Sequence, residues 1–229
     1  MDHRPWEDVL GALDADGFAV TAVPVLPAEV CADLANGFDD LDRYRSTVDM
    51  AAHRFGEGTY RYFRYPLPPA VASLREAAYP PLAKLADQWA TRLGREGHPS
   101  QLADLLDRCH ARGQTRPTPL VLRYGPGGWN ALHQDLYGEV WFPFQLTVAL
   151  TRPNVDFTGG ENVFVEQRPR AQSRAGVVTV PLGHAVVFAT NHRPVAGGRG
   201  VYRATMRHGV STVTSGTRST LGVIFHDAT

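Results

Sequence analysis

The chain has 229 residues, 43% of them hydrophobic and 20% charged, a composition typical of a folded globular protein that excludes a disordered chain. Its 23 basic side chains equal its 23 acidic ones in number, so the overall charge does not indicate a nucleic-acid binder. The apolar runs are far shorter than the ~20 residues that span a membrane. Two cysteines are too few for a disulfide framework, and the N-terminus carries no recognisable secretory signal. We therefore expect a cytoplasmic protein with no membrane partner.

The charge is unevenly distributed along the chain. Residues 1–115 contain 12 basic and 17 acidic side chains, whereas residues 116–229 contain 11 and 6. This asymmetry fits an acidic helical layer on a more basic catalytic body. It also fits a C-terminal half that binds an anion.

The first half of the chain is predicted to be mainly helical. Apolar side chains at 3.6-residue spacing predict four helices. The first helix is predicted to start near Trp6 and the second at Pro27, and the third and fourth are predicted to cover residues 69–93 and 99–112. A short strand is predicted over residues 18–25, after Gly17. We expect the 69–93 helix to be interrupted at Pro80 and Pro81, because proline removes a helical hydrogen bond.

After Gln114 the pattern changes to short β-rich runs separated by Gly, Pro, Asn and Asp, as in a β-sandwich or barrel. The predicted strands are 120–124, 142–150, 162–166, 177–180, 185–189, 201–206, 209–213 and 220–225. No linker or low-complexity tract separates the two zones. We expect a single domain, 1–229, in which helical residues 1–115 support a mainly β catalytic core of residues 116–229.

The first chemical signal is the sequence His133-Gln134-Asp135. Residues i and i+2 of a strand point to the same face, so His133 and Asp135 could bind one ion, although a polar turn is favoured for the pair alone. His208 supplies a third ligand, and two histidines with one carboxylate form the facial triad of non-haem Fe(II) oxygenases. His192 is the alternative third ligand, but no basic residue follows it at the distance at which Arg218 follows His208.

Arg218 lies ten residues after His208 and shares a strand face with Thr220. An arginine that points into a β core requires an anion, because burying it unpaired is costly. A dicarboxylate cosubstrate would supply that anion, paired with Arg218 and hydrogen-bonded by Thr220. In the 142–150 run, the alternate polar positions, including Gln145, are expected to line a cofactor cavity.

At these positions the chain resembles the 2-oxoglutarate/Fe(II)-dependent dioxygenase superfamily, in particular its prolyl-hydroxylase-like branch. That family carries His-x-Asp, a distal His, and an Arg or Lys about ten residues later. The resemblance covers residues 120–225. The motifs Leu-His-Gln-Asp-Leu-Tyr-Gly, Gln-Arg-Pro-Arg and Ile-Phe-His-Asp-Ala are also similar to those of a bacterial subgroup labelled as oxygenases of damaged DNA.

The resemblance implies a double-stranded β-helix (jelly roll, cupin-like) core, buttressed by α-helices. It implies that His133, Asp135 and His208 bind Fe(II), and that Arg218 and Tyr124 bind 2-oxoglutarate. The implied reaction consumes O₂, hydroxylates a substrate C–H bond, and releases succinate and CO₂ without a protein nucleophile. The prolyl-hydroxylase branch usually has lysine where this chain has Arg218, so the prolyl substrate is not carried over.

The sequence is less specific about the substrate. Candidate substrate contacts are Gln145, His192, and three arginines of a possible lid: Arg168, Arg170 and Arg174. The alternating tyrosines and arginines of residues 60–65 either stack on a planar substrate or pack on the core, and we favour packing.

Three functions are compatible with these patterns. We favour hydroxylation of a small molecule or of a protein residue. The alternative is oxidative demethylation of damaged nucleic acid, which the basic second half and residues 60–65 suggest. A hypothesis of a different class is a non-catalytic, cupin-like metal-binding or sensor module.

Overall fold

The computed structural model describes residues 4–135, 137–198 and 200–229. Within these ranges it has four α-helices and fifteen strands. The helices are α1 (Arg4–Asp16), α2 (Ala28–Asn36), α3 (Pro69–Arg92) and α4 (Leu102–His110). The strands are β1 (Phe18–Val20), β2 (Tyr44–Asp49), β3 (Gly56–Glu57), β4 (Thr59–Phe63), β5 (Leu120–Tyr124), β6 (Trp129–His133), β7 (Phe144–Ala149), β8 (Phe157–Gly159), β9 (Asn162–Gln167), β10 (Arg174–Val178), β11 (Ala185–Ala189), β12 (His192–Gly197), β13 (Gly200–Val210), β14 (Val213–Gly216) and β15 (Arg218–Ile224).

Two antiparallel sheets form the jelly-roll core. The larger sheet has the order β1-β11-β7-β15-β5-β4-β2, and the smaller has the order β10-β9-β13-β6-β3, with β12 also paired to β13. A cavity of about 450 Å³ is lined by side chains of both sheets. The fold is therefore mainly β with N-terminal helices, as the sequence predicts.

The helices pack on one face of the larger sheet, and the cavity lies on its opposite face. On β7, Phe144, Leu146 and Val148 are fully buried in the hydrophobic core that includes the helices, and the Trp89 ring of α3 lies 4.7 Å from the Phe144 ring. The intervening Gln145 and Thr147 line the cavity. This is the alternation expected when the two faces of a strand meet different environments.

The predicted interruption of the third helix is wrong, because α3 continues through Pro80 and Pro81. Each proline lacks the N–H that would bond to the carbonyl four residues earlier. Burial compensates for this loss: Tyr79 and Leu82 on either side of the prolines are 0% exposed, and burying each side chain contributes about 1.5–3 kcal/mol.

The second half contains one strand where two were predicted. Residues 201–206 and 209–213 were expected as separate strands, but β13 runs unbroken through Arg207 and His208. Backbone pairing with β9 continues across this polar pair, with Arg207 opposite Val165. The hydrophobic pattern was interrupted there because His208 faces the cavity rather than an apolar core.

The boundaries of the other elements differ modestly from the prediction. The 99–112 helix is shorter, as α4, and the 177–180 strand lies earlier, as β10. The first half is not helical throughout, because β1, β2 and β4 complete the larger sheet and β3 adds to the smaller. No helix in the described part of the chain combines the length and hydropathy needed to cross a bilayer.

Candidate active site

The three predicted metal ligands meet at one point of the smaller sheet. His133 ends β6 and is paired in register with His208 of β13. Asp135 follows two residues later, held by a backbone hydrogen bond from its N–H to the carbonyl of Thr190. The Asp135 carboxylate lies 3.6 Å from Nε2 of His133 and 3.3 Å from Nε2 of His208. One ligand atom from each side chain lies within 4.8 Å of the other two.

The protonation states of His133 and Asp135 suit a divalent cation. Nδ1 of His133 donates a hydrogen bond of 2.7 Å to the Ala131 carbonyl, which fixes the tautomer and leaves the Nε2 lone pair free. Burial and the neighbouring His208 lower the pKa of His133, which favours the neutral ring. Burial opposes ionisation of Asp135, but the hydrogen bond and charge of His208, with His133 and Gln145, hold its pKa at about 2. Neutral imidazoles and an ionised carboxylate are the forms that ligate iron.

The guanidinium of Arg218 is buried in the wall of the same cavity, with 3% of the residue exposed. It donates hydrogen bonds to Asn162 Oδ1 at 3.0 Å and to Thr220 Oγ1 at 3.5 Å, and it forms no ion pair with a described acidic residue. Burial lowers its pKa, although Tyr124 and Glu161 oppose this effect. A buried guanidinium without a carboxylate partner is a favourable site for an anionic ligand.

Tyr124 and Thr220 lie beside Arg218. Tyr124 is paired in register with Arg218, and its ring centre is 5.4 Å from the guanidinium carbon. Burial raises the pKa of Tyr124 to about 12, so the hydroxyl stays protonated at neutral pH. Thr220 also lines the cavity. The arrangement offers a carboxylate one cation and two hydroxyl groups.

The predicted substrate residues divide into two groups. Gln145 lines the cavity of the triad. The residues that line this cavity do not include the other four, Arg168, Arg170, Arg174 and His192. Arg168 and Arg174 form ion pairs with Glu166 and Asp16 near the β9–β10 turn, and His192 lines a separate cavity of about 500 Å³ beside α3 and α4.

The cavity also contains tyrosines that were not predicted as site residues, including two from the 60–65 segment, for which packing on the core was favoured. Tyr60 and Tyr62 of β4 line it, while Arg61 between them points to Phe38 with its guanidinium carbon 4.3 Å from that ring. Tyr60 and Tyr62 therefore lie inside the larger sheet on its cavity side, whereas Tyr65 lies beyond the end of β4 and hydrogen-bonds to Asp227. Tyr137 also lines the cavity. Its position two residues after Asp135 was the one local signal that could have identified it.

Comparisons with known proteins agree with this geometry. The family model Oxygenase-NA, described as "Oxygenase, catalysing oxidative methylation of damaged DNA", matches residues 58–228. The chain therefore belongs to this family and is an oxygenase, a class of oxidoreductase. It is 52% identical to the Uncharacterized protein Rv2227 of Mycobacterium tuberculosis over 167 aligned residues. The aligned segment covers 72% of this chain and 72% of that protein.

Solved structures support the fold. A prolyl-4-hydroxylase of Pseudomonas putida superposes with a TM-score of 0.55 at 16% identity, over 96% of this chain and 97% of that one. A 2OG-Fe(II) oxygenase family oxidoreductase of Burkholderia pseudomallei gives 0.55 at 15% identity, over 99% and 93%. The α-ketoglutarate-dependent epimerase SnoN of nogalamycin biosynthesis gives 0.57 at 15% identity, over 97% and 83%.

Proposed function

We propose that this oxygenase uses Fe(II), 2-oxoglutarate and O₂ to hydroxylate a C–H bond of its substrate. The observation that carries the proposal is the placement of Arg218. A buried cation with no acidic partner in the described part of the chain lines the same cavity as a cluster of two histidines and one carboxylate. A cosubstrate with two carboxylates suits both features, since one end can chelate a metal and the other can pair with the guanidinium.

The residues of the chain divide the task between them. His133, Asp135 and His208 would hold Fe(II). When bound together with 2-oxoglutarate, the metal would supply the chemistry that oxidises the C–H bond, with release of succinate and CO₂. Arg218, Tyr124 and Thr220 would bind the far carboxylate of the cosubstrate and so fix its orientation.

The apolar side chains of the cavity contribute by excluding water. Phe164, Phe188 and Ile224 line the cavity between the two sheets and are at most 5% exposed. A site with few water molecules strengthens the interactions of the bound ions and protects a reactive intermediate from side reactions.

The test is anaerobic addition of Fe(II) and 2-oxoglutarate, followed by visible absorption spectroscopy. The unmodified protein should develop a charge-transfer band that requires both additions, and His133→Ala and His208→Ala should abolish it. His192→Ala is the matched control and should keep the band, because His192 lines the other cavity. A band that survives both triad substitutions would refute the assignment. Metal binding without 2-oxoglutarate consumption in air would instead favour the non-catalytic module.

Damaged nucleic acid is the second candidate for the substrate. It is supported by the description of the family and by the tyrosines of the cavity, since bases stack on aromatic side chains. The rim also includes the exposed ring of Phe55, stacked on His53 with 5.4 Å between centres. A single-stranded oligonucleotide with alkylated bases should stimulate succinate formation more than its unmodified counterpart. Equal rates with both would favour a small molecule or a protein residue.

A further inference from the structure

Three tyrosines line the cavity that also contains the histidine–aspartate cluster and Arg218. Tyr60 and Tyr62 project from the same side of β4, with ring centres 5.5 Å apart and ring planes at 89°. They form two walls at a right angle. Tyr137 lines the same cavity, and its hydroxyl is buried without a hydrogen-bond partner among the described residues.

The cluster extends along the sheet from the cosubstrate end. Tyr60 is in register with Leu122, which pairs with Thr220, whereas Tyr62 is in register with Leu120, which pairs with Gly222. Arg218 pairs with Tyr124, so four residues of strand separate its level from that of Tyr62, which is about 13 Å at the usual rise per residue.

The rings of the cluster suit a positive charge. Burial, the Tyr60 hydroxyl and the Asp135 carboxylate raise the pKa of Tyr62, so its ring stays uncharged at neutral pH. Neutral tyrosine rings present negative faces.

One cation already lies on the Tyr62 ring. The guanidinium carbon of Arg45 is 4.5 Å from the centre of the Tyr62 ring, and its Nε donates to the Pro117 carbonyl at 2.9 Å. Arg45 is not among the residues that line the cavity. The contact shows that the Tyr62 ring takes part in a cation–π interaction in this fold.

We propose that Tyr60, Tyr62 and Tyr137 form an aromatic cage for a methylated, positively charged nitrogen of the substrate. This inference rests on the proposed function, because the cage would present the methyl C–H to the triad in the same cavity. The chemistry has two possible sources: a planar N-methylated heteroaromatic ring, as in an alkylated base, or a tetrahedral quaternary ammonium group.

The test measures binding of small probes to the protein without added iron or 2-oxoglutarate, by NMR titration. N-methylpyridinium is compared with toluene, which has the same shape without the charge, and tetramethylammonium with tert-butyl alcohol. The cation of the correct shape should bind about 5- to 30-fold more tightly than its uncharged counterpart. Its methyl resonance should shift upfield under the tyrosine rings. The pair that shows the preference identifies the source.

Substitutions locate the effect in the cage. Tyr62→Leu should weaken binding of the preferred cation about 5- to 30-fold, while Tyr62→Phe, which keeps the ring, should stay within about threefold. Tyr202→Leu is the matched control, because Tyr202 lies outside the cavity, and it should change nothing. If circular dichroism shows that Tyr62→Leu does not fold, Tyr60→Leu and Tyr137→Leu replace it.

Equal affinity for both charged and uncharged probes would overturn the cage, and so would an unchanged cation affinity in the folded leucine variants. The proposed function fails separately. Loss of the Fe(II)–2-oxoglutarate band with an intact cation preference contradicts the cosubstrate assignment alone. An intact band without a cation preference contradicts the cage alone.

Discussion

Replacing Arg218 by methionine should weaken 2-oxoglutarate binding while leaving the ligand-free protein as stable or more stable. The guanidinium can pair with a carboxylate through two charge-assisted hydrogen bonds, each of which contributes about 1.5–3 kcal/mol. Losing both removes at least about 3 kcal/mol, which is about a 100-fold weaker affinity. The fold already holds the side chain in place through Asn162 and Thr220, so little of this affinity is offset by ordering the arginine.

The stability of the ligand-free protein should change in the opposite direction. Arg218 is 3% exposed and has no acidic partner among the described residues. Exchanging buried charged groups for apolar ones of similar volume is often neutral or stabilising, by about 1–4 kcal/mol. Because Asn162 and Thr220 lose a donor, we expect a gain of about 1 kcal/mol.

Two assays check this prediction. Calorimetric titration with 2-oxoglutarate in the presence of Mn(II), as a redox-stable metal, gives the affinity, and chemical denaturation without ligand gives the free energy of unfolding. Arg203→Met, at an exposed position of β13, is the control and should change neither quantity. An Arg218→Met variant with unchanged 2-oxoglutarate affinity, or one that is destabilised by several kcal/mol, would refute the reasoning.

Three further predictions concern the surroundings of the site. Gly160→Ala should weaken 2-oxoglutarate binding about tenfold or more, as calorimetry would show, because Gly160 has a φ of +65° and its added Cβ would lie 2.8 Å from Cδ of Arg218. Asp227→Ala should lower the free energy of unfolding by about 3–5 kcal/mol in a denaturant titration. The substitution leaves the buried Arg75 without its carboxylate partner, which lies 2.9 Å from Nη2 of the arginine. Burial and the Arg75 charge lower the pKa of His226 from 6.5 to about 4. As the pH falls, the His226 side chain is therefore protonated in the unfolded chain before it is protonated in the folded one. The free energy of unfolding should decrease between pH 6.5 and pH 4, by at most on the order of 3 kcal/mol. Denaturation of His226→Asn at several pH values should show a smaller dependence on pH.

Matched changes separate these effects from general damage. Gly198→Ala should be silent, because a Cβ there meets nothing within 4 Å. A double change, Arg75→Met with Asp227→Leu, should recover part of the stability that Asp227→Ala loses, since no charge is left unpaired. Unchanged affinity in Gly160→Ala, full stability in Asp227→Ala, or an identical pH slope in His226→Asn would each contradict the corresponding prediction.

The metal cluster could be predicted from the sequence because its geometry is partly local. His133 and Asp135 are two residues apart, and Arg218 follows His208 at a fixed distance on the next strand of the larger sheet. Strand alternation alone does not explain the geometry, because Asp135 lies beyond the end of β6 and is held by its backbone hydrogen bond to Thr190. The structure places all three ligands within 4.8 Å of one another.

The substrate side could not be predicted in this way, because its residues meet only through tertiary contacts. Tyr60 and Tyr62 reach the cavity because β4 is inserted between β5 and β2, and nothing in residues 60–65 specifies that pairing. Asn162, which accepts the hydrogen bond from Arg218, lies 56 positions away from it. His192 was a candidate site residue, but it lines the separate cavity beside the helices.

The most direct test of the central claim is an anaerobic crystal structure of the protein with Fe(II) and 2-oxoglutarate, with anomalous diffraction used to locate the metal. The account predicts one iron ion within coordination distance of His133, Asp135 and His208, and a carboxylate of 2-oxoglutarate paired with Arg218. An iron ion elsewhere, or a cosubstrate whose far carboxylate does not contact Arg218, would contradict it.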